Sequence, residues 1–157
     1  MGSFSGKEWL DTVTLGPGVV IKKQSIGVVD NSTGFANLDG VLGVGPVILT
    51  NNTVSNTGTV PTVSDNLYAQ GTISEEVLGI YYAPVSAPSS DGTLTFGGVD
   101  YSKTIGSVAY APVTTTYPSS YYWGVDQSIS YDGETILSTT AGIVDTGTTL
   151  ILIASGE

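Results

Sequence analysis

Apolar and polar residues alternate in short runs along this chain, and Gly, Asn, Asp or Pro breaks each run after a handful of positions. A period of two belongs to half-buried β-strands, whereas an amphipathic helix repeats every three or four residues. The pattern predicts strands at Trp9–Leu15, Val19–Val29, Val77–Ala83, Thr93–Phe96, Ser107–Pro112, Tyr121–Tyr131 and Gly142–Asp145. Asp132-Gly133, between Ser128–Tyr131 and Glu134–Leu137, has the composition of a two-residue hairpin turn, in which both central residues take positive φ. One helix is expected after Pro61. Thr62 and Asp65 stand at capping-box spacing, the pattern continues through Asn66–Gln70, and Gly71 is suited to end it. Thr50–Thr62 reads as a polar surface loop and Pro84–Gly92 as a second turn-rich connector. No repeat of fixed period is present. The expected fold class is all-β, with sandwich or barrel-like packing.

Composition narrows the chemistry. The chain has 157 residues, 40% of them hydrophobic, and only 11% charged, with a formal net charge of −10. Ordinary apolar content in alternating runs indicates a folded β-protein rather than an acidic disordered one. Four lysines (Lys7, Lys22, Lys23, Lys103) are the only basic side chains, and Arg and His are absent. Phosphate backbones and anionic membranes would be repelled, so neither nucleic acid nor membrane is an expected partner. A pI near 4.1 suits an acidic medium. Cysteine is absent, which removes disulfides and thiolate chemistry. Asn31-Ser32-Thr33 and Asn51-Asn52-Thr53 match the N-glycosylation acceptor triplet, so Asn31 and Asn51 are candidate modification sites in a secreted protein. No signal peptide precedes Gly2, and no apolar run reaches the length of a membrane span. A secreted parent is therefore expected to carry its targeting segment outside this sequence.

Without His or Cys, a Ser-His-Asp or Cys-His arrangement and a nitrogen- or sulfur-based zinc site are excluded. Asp91, Asp100, Asp126 and Asp132 lack calcium-loop spacing and read as turn residues, so no metal is expected. The glycine-rich Asp39–Gly45 has neither phosphate-loop spacing nor a following lysine. Carboxylate chemistry remains, and it centres on Gly142-Ile143-Val144-Asp145-Thr146-Gly147-Thr148-Thr149-Leu150. Asp-Thr-Gly alone is a common turn. Here β-branched residues precede it, Thr148-Thr149 follow, and Leu150-Ile151-Leu152-Ile153 would pack beneath it.

That stretch resembles the active-site loop of the pepsin-like aspartic proteases, and other segments fit the same family in order. Gly2-Ser3-Phe4-Ser5-Gly6 resembles the descending half of the flap hairpin, followed by Asp11-Thr12-Val13. Asp39-Gly40-Val41-Leu42-Gly43 resembles the apolar-apolar-Gly segment that packs against a catalytic loop. Thr59–Gly71 resembles a Pro-containing turn and short helix. Phe96-Gly97-Gly98-Val99-Asp100 is similar to the strand entering the interlobe sheet, and Tyr122-Trp123 with Ile129 and Gly133-Glu134 is similar to the opening hairpin of the second lobe. The Ser/Thr-rich, cysteine-free texture resembles fungal members, in particular polyporopepsin-like enzymes.

The resemblance implies part of a bilobal β-barrel fold with one or two short helices. Residues 1–100 would be the C-terminal part of the first lobe with the interlobe strand, and residues 101–157 the N-terminal part of the second lobe. It implies an endopeptidase that hydrolyses peptide bonds in acid, through two aspartates and an activated water, without a cofactor. Asp145 would be one of the two. Gly147, Thr148, Thr149, Gly2 and Ser3 would contact a peptide or protein substrate. Thr146, Leu42 and Gly43 would support the site, and Ile143 would be a pocket wall or a core residue. Trp9 and Trp123 read as packing residues. The family uses two Asp-Thr-Gly loops and this sequence holds one, so the first loop is expected upstream of Met1, and the chain by itself is expected to be inactive. Cut sheet edges would invite self-association, and the parent protein is expected to be extracellular. The competing reading is a non-catalytic extracellular β-module binding peptide, protein or carbohydrate, with Tyr117–Trp123 as its surface.

Overall fold

The computed structural model describes residues 2–34, 38–86 and 91–154. Its elements in chain order are β1 (Ser3–Gly16), β2 (Val19–Thr33), α1 (Val63–Ala69), β3 (Leu78–Tyr82), β4 (Gly92–Phe96), β5 (Gly124–Tyr131) and β6 (Glu134–Ile143), with short 3-10 helices at Val47–Thr50, Tyr101–Lys103 and Ser119–Tyr121. The strands pair as three antiparallel two-stranded sheets, β1-β2, β3-β4 and β5-β6. The chain divides into two compact units, Met1–Ser107 and Val108–Glu157. No helix among the described residues is long and apolar enough to cross a membrane.

In the first unit, β1 and β2 join through Pro17-Gly18. Proline fixes its φ near −65° and Gly18 takes φ 77°, the combination of a type II turn. Both strands outrun the expected spans. β1 starts at Ser3 and β2 ends at Thr33, where Ser/Gly/Asn residues hide the alternation but the ladder still closes. The helix forms where its caps predict. Thr62 accepts from the Asp65 amide and the Asp65 carboxylate accepts from the Thr62 amide at 2.6 Å, a complete capping box. At the other end Gly71, at φ 70°, donates to the Tyr68 carbonyl and Thr72 to the Leu67 carbonyl, which closes a Schellman motif.

Val63 and Leu67 on α1 pack with Ile21 of β2 and with Ile73 to form the buried core, and Val13, Leu15, Val19 and Phe96 flank it. Two glutamines fasten helix to strand. Gln70 accepts from the Lys22 amide and donates to the Lys22 carbonyl, both at 2.9 Å, as a neighbouring strand would. The buried Gln24 donates to the Pro61 carbonyl and accepts from the Asn66 carboxamide, so no polar atom is stranded beside the core. β3 and β4 run in simple register from Leu78↔Phe96 to Tyr82↔Gly92. The connector expected over Pro84–Gly92 is described except at positions 87–90, which lie outside the described residues.

In the second unit, β5 and β6 turn at Asp132-Gly133 with φ 49° and 83°, the primed turn expected from the sequence. Two expectations fail here. Ser107–Pro112 is not a strand. Its residues have no ladder partner among the described residues, and Tyr110 is largely exposed. Tyr121–Tyr131 becomes a strand only at Gly124, because the amides of Tyr121 and Tyr122 bond back to Pro118 and Ser119 in a 3-10 turn. The segments expected as Glu134–Leu137 and Gly142–Asp145 are the two ends of one strand that stops at Ile143.

Candidate active site

Asp145 stands two residues past the end of β6. The ladder runs one rung beyond the strand, because the Val144 amide donates to the Trp123 carbonyl at 2.9 Å. The backbone is thus held up to the residue before the aspartate, and the chain then turns at Thr146-Gly147. The carboxylate is fixed from both oxygens. Oδ1 accepts the Gly147 amide at 2.9 Å and Oδ2 accepts the Thr148 hydroxyl at 2.6 Å. A Cβ at position 147 would stand 3.3 Å from Oδ1, so glycine allows this close approach. The Thr148 hydroxyl, and after it the Gly147 amide, stabilise the ionised form and hold Asp145 below the usual carboxylate range. The side chain is exposed. The loop therefore presents an ionised, oriented acceptor to solvent, the arrangement required of a carboxylate that takes a proton from water.

Beside the end of β6, around Gly124, lies a support that the sequence reading missed. Thr114 is buried. Its hydroxyl donates to Asp126 Oδ1 at 2.7 Å, its amide donates to the Gly124 carbonyl at 2.9 Å, and its oxygen receives the Thr116 amide at 3.1 Å. Gly124, paired with Ile143, is buried too, and a Cβ there would overlap the Ser119 carbonyl. A glycine directly between Trp123 and an alternating run was the one available signal.

Thr146 and Thr149 lie exposed in the same loop as Asp145. Ile143, the last residue of β6, is 43% exposed and is not a core residue. Leu150–Ile153, expected to pack beneath the turn, is exposed as well, because the β5-β6 ribbon supplies no second layer in this unit among the described residues. Trp9 and Trp123 are half exposed rather than buried. The remaining candidates belong to the first unit. Gly2 precedes β1, and Ser3 begins it, with its amide and hydroxyl on the Thr33 hydroxyl. Leu42 and Gly43 are exposed in an irregular stretch before the 3-10 helix at Val47–Thr50. No group of three or more acidic side chains among the described residues could hold a metal ion.

The family model described as "Eukaryotic aspartyl protease" matches residues 1–157. The chain is 57% identical to polyporopepsin of Irpex lacteus over 98% of its own length and 46% of that protein's. It is 39% identical to rhizopuspepsin-1 of Rhizopus niveus and 34% identical to pepsin A of Sus scrofa, covering 96% of this chain and 37% of each relative. The crystal structure of the aspartic proteinase from Irpex lacteus superposes with a TM-score of 0.93 at 55% identity, over 98% of this chain and 46% of that one. The chain thus spans less than half the length of these relatives, and within that span its mostly-strand, one-helix architecture is that of a pepsin-like fold. An aspartate turned out of a β-ribbon on an Asp-Thr-Gly loop, a family match from end to end and a close superposition place the chain in the eukaryotic aspartyl protease family.

Proposed function

We propose that this chain is a segment of an acid-acting aspartic endopeptidase, and that Asp145 is one of its two catalytic carboxylates. The observation that carries the reading is the Asp145 carboxylate itself, exposed on a turn and held by Gly147 and Thr148. In the complete site two carboxylates share one proton and one water. The ionised member takes a proton from the water as it attacks the peptide carbonyl, and the protonated member donates to the carbonyl oxygen. Like charges at that separation cannot both ionise easily, which places the working range in acid.

In this reading residues 1–100 belong to the first lobe and residues 101–157 to the second. Thr146 braces the partner loop, and Gly147, Thr148, Thr149, Gly2 and Ser3 contact the peptide. Leu42-Gly43 braces the first lobe's own loop. The parent protein works outside the cell. The 157-residue chain has one Asp-Thr-Gly triplet. Alone it has no partner for the shared proton and does not turn over peptide. Its unpaired strand edges favour self-association.

The test is cleavage of a peptide at acid pH by the purified chain, with and without pepstatin, beside Asp145→Asn. Folded protein with no turnover in either form is the expected result. Turnover that pepstatin stops and Asp145→Asn abolishes would show that the chain assembles a second carboxylate, and the inactivity proposal would be wrong.

A further inference from the structure

The two acceptor triplets are presented differently. Asn31 lies within β2, opposite Ser5, and the Thr33 hydroxyl that completes its triplet is tied to Ser3 across the ribbon. Asn51 instead follows the 3-10 helix at Val47–Thr50, and its amide donates to the Ile48 carbonyl at 3.1 Å. Thr50 pins the base of the loop that follows. Its hydroxyl donates to the carbonyls of Val47 and Val60, and its oxygen accepts the Val60 amide at 2.6 Å. Asn52, at φ 59°, bonds through its amide to the Gly58 carbonyl and closes the loop. Asn51, Asn52 and Thr53 are all exposed, and among the described residues the Asn51 carboxamide makes no hydrogen bond. The Thr53 hydroxyl lies on the same turn, donating to the Thr50 carbonyl at 2.7 Å.

We propose that Asn51 carries an N-linked glycan that covers the 51–58 loop. This rests on the reading of an extracellular parent, because the donor, a polyprenyl-diphosphate-linked oligosaccharide, is met only on the secretory route. In the transfer, Asn51 Nδ2 attacks the anomeric carbon of the first sugar and an N–C bond forms. The bond from that carbon to the phosphate oxygen breaks, the polyprenyl diphosphate leaves, and the amide gives up one proton; nothing is oxidised or reduced. The fold accommodates the product because the pinned base fixes the backbone while the exposed carboxamide has no hydrogen bond among the described residues to lose. Exposed loop tips of small polar residues are preferred sites of proteolytic nicking. A glycan at the foot of this one would screen it from nicking.

The test is to express the chain behind a cleavable secretory leader in a eukaryotic host. The product is analysed, secreted or cell-retained, once its leader is removed. Peptide mapping before and after N-glycosidase digestion should find a glycan at position 51, with the linked asparagine converted to aspartate on release. Asn51→Gln and Thr53→Ala should remove it, Thr53→Ser should keep it, and Asn31→Gln should leave it in place. An unmodified Asn51 in leader-processed protein overturns the proposal. The extracellular reading has its own measurement, the presence of the native protein in the medium of its source, and it stands or falls separately.

Discussion

The Thr148 hydroxyl donates to Asp145 Oδ2 at 2.6 Å, while the Gly147 amide holds Oδ1. These two donors keep the carboxylate ionised below the ordinary aspartate value of 3.8. A group with a lowered native pKa favours the fold above its unfolded value, and that contribution is lost as pH falls through the native one. Thr148→Val removes the stronger donor without changing volume much. Carboxyl-carbon NMR titration should then find Asp145 titrating closer to 3.8, while Thr148→Ser leaves it low. An unmoved midpoint in Thr148→Val would deny the hydroxyl its role.

Thr114 offers a test of the support beside the end of β6. Valine matches its shape and removes only the hydroxyl. The change removes the hydrogen bonds to Asp126 Oδ1 and from the Thr116 amide, whose residues are both exposed to water. Losing a hydrogen bond whose partner can turn to water costs about 0.5–1.5 kcal/mol. Urea unfolding of Thr114→Val should show a lower midpoint by that measure, and Thr114→Ser should recover most of it. Equal midpoints for valine and threonine would mean that solvent replaces the network freely.

A second carboxylate relationship contributes to the pH response of the first unit. Asp65 and Glu76 share a hydrogen bond. Burial works to raise Asp65, but the hydrogen bonds from Glu76 and from the Thr62 amide and hydroxyl outweigh it and lower it. Glu76 is raised above its ordinary 4.5, first by the hydrogen bond to Asp65 and then by burial and by Asp65's charge. Of the two, Glu76 is the carboxyl that keeps its proton to higher pH. A raised carboxyl favours the fold below its unfolded pKa, and that contribution is lost as pH rises through the native value. Glu76→Gln supplies a permanent donor. Denaturant midpoints measured from acid to neutral pH should fall less steeply in Glu76→Gln than in the parent, with Glu76→Gln the more stable at neutral pH. Parallel curves would refute the shared proton.

What could be read in advance followed local chemistry. Thr62, Asp65 and Gly71 specify a helix start and stop by side-chain and backbone rules acting within a few residues, and the observed helix obeys them. Asp132-Gly133 needs positive φ at both positions and takes it. Ser107–Pro112 alternates like a strand but stays irregular, because a ladder requires a partner at the right height and alternation cannot supply one. The converse holds at Thr140-Ala141, which no alternation marks yet which lies in β6 because Gln127 and Asp126 pair with it.

By itself, the sequence determined the chemistry available: carboxylates without His or Cys, an Asp-Thr-Gly turn at a strand end, and one capped helix. These are properties of residue types and near neighbours, and they survive any packing. Only the tertiary structure decided that Trp123 anchors the residue before Asp145, and that Thr114 is buried and bonded to Asp126. Those relationships join residues up to 21 positions apart. The free energy that selects them comes from burial and from pairing between strands, neither of which is written in the order of the residues.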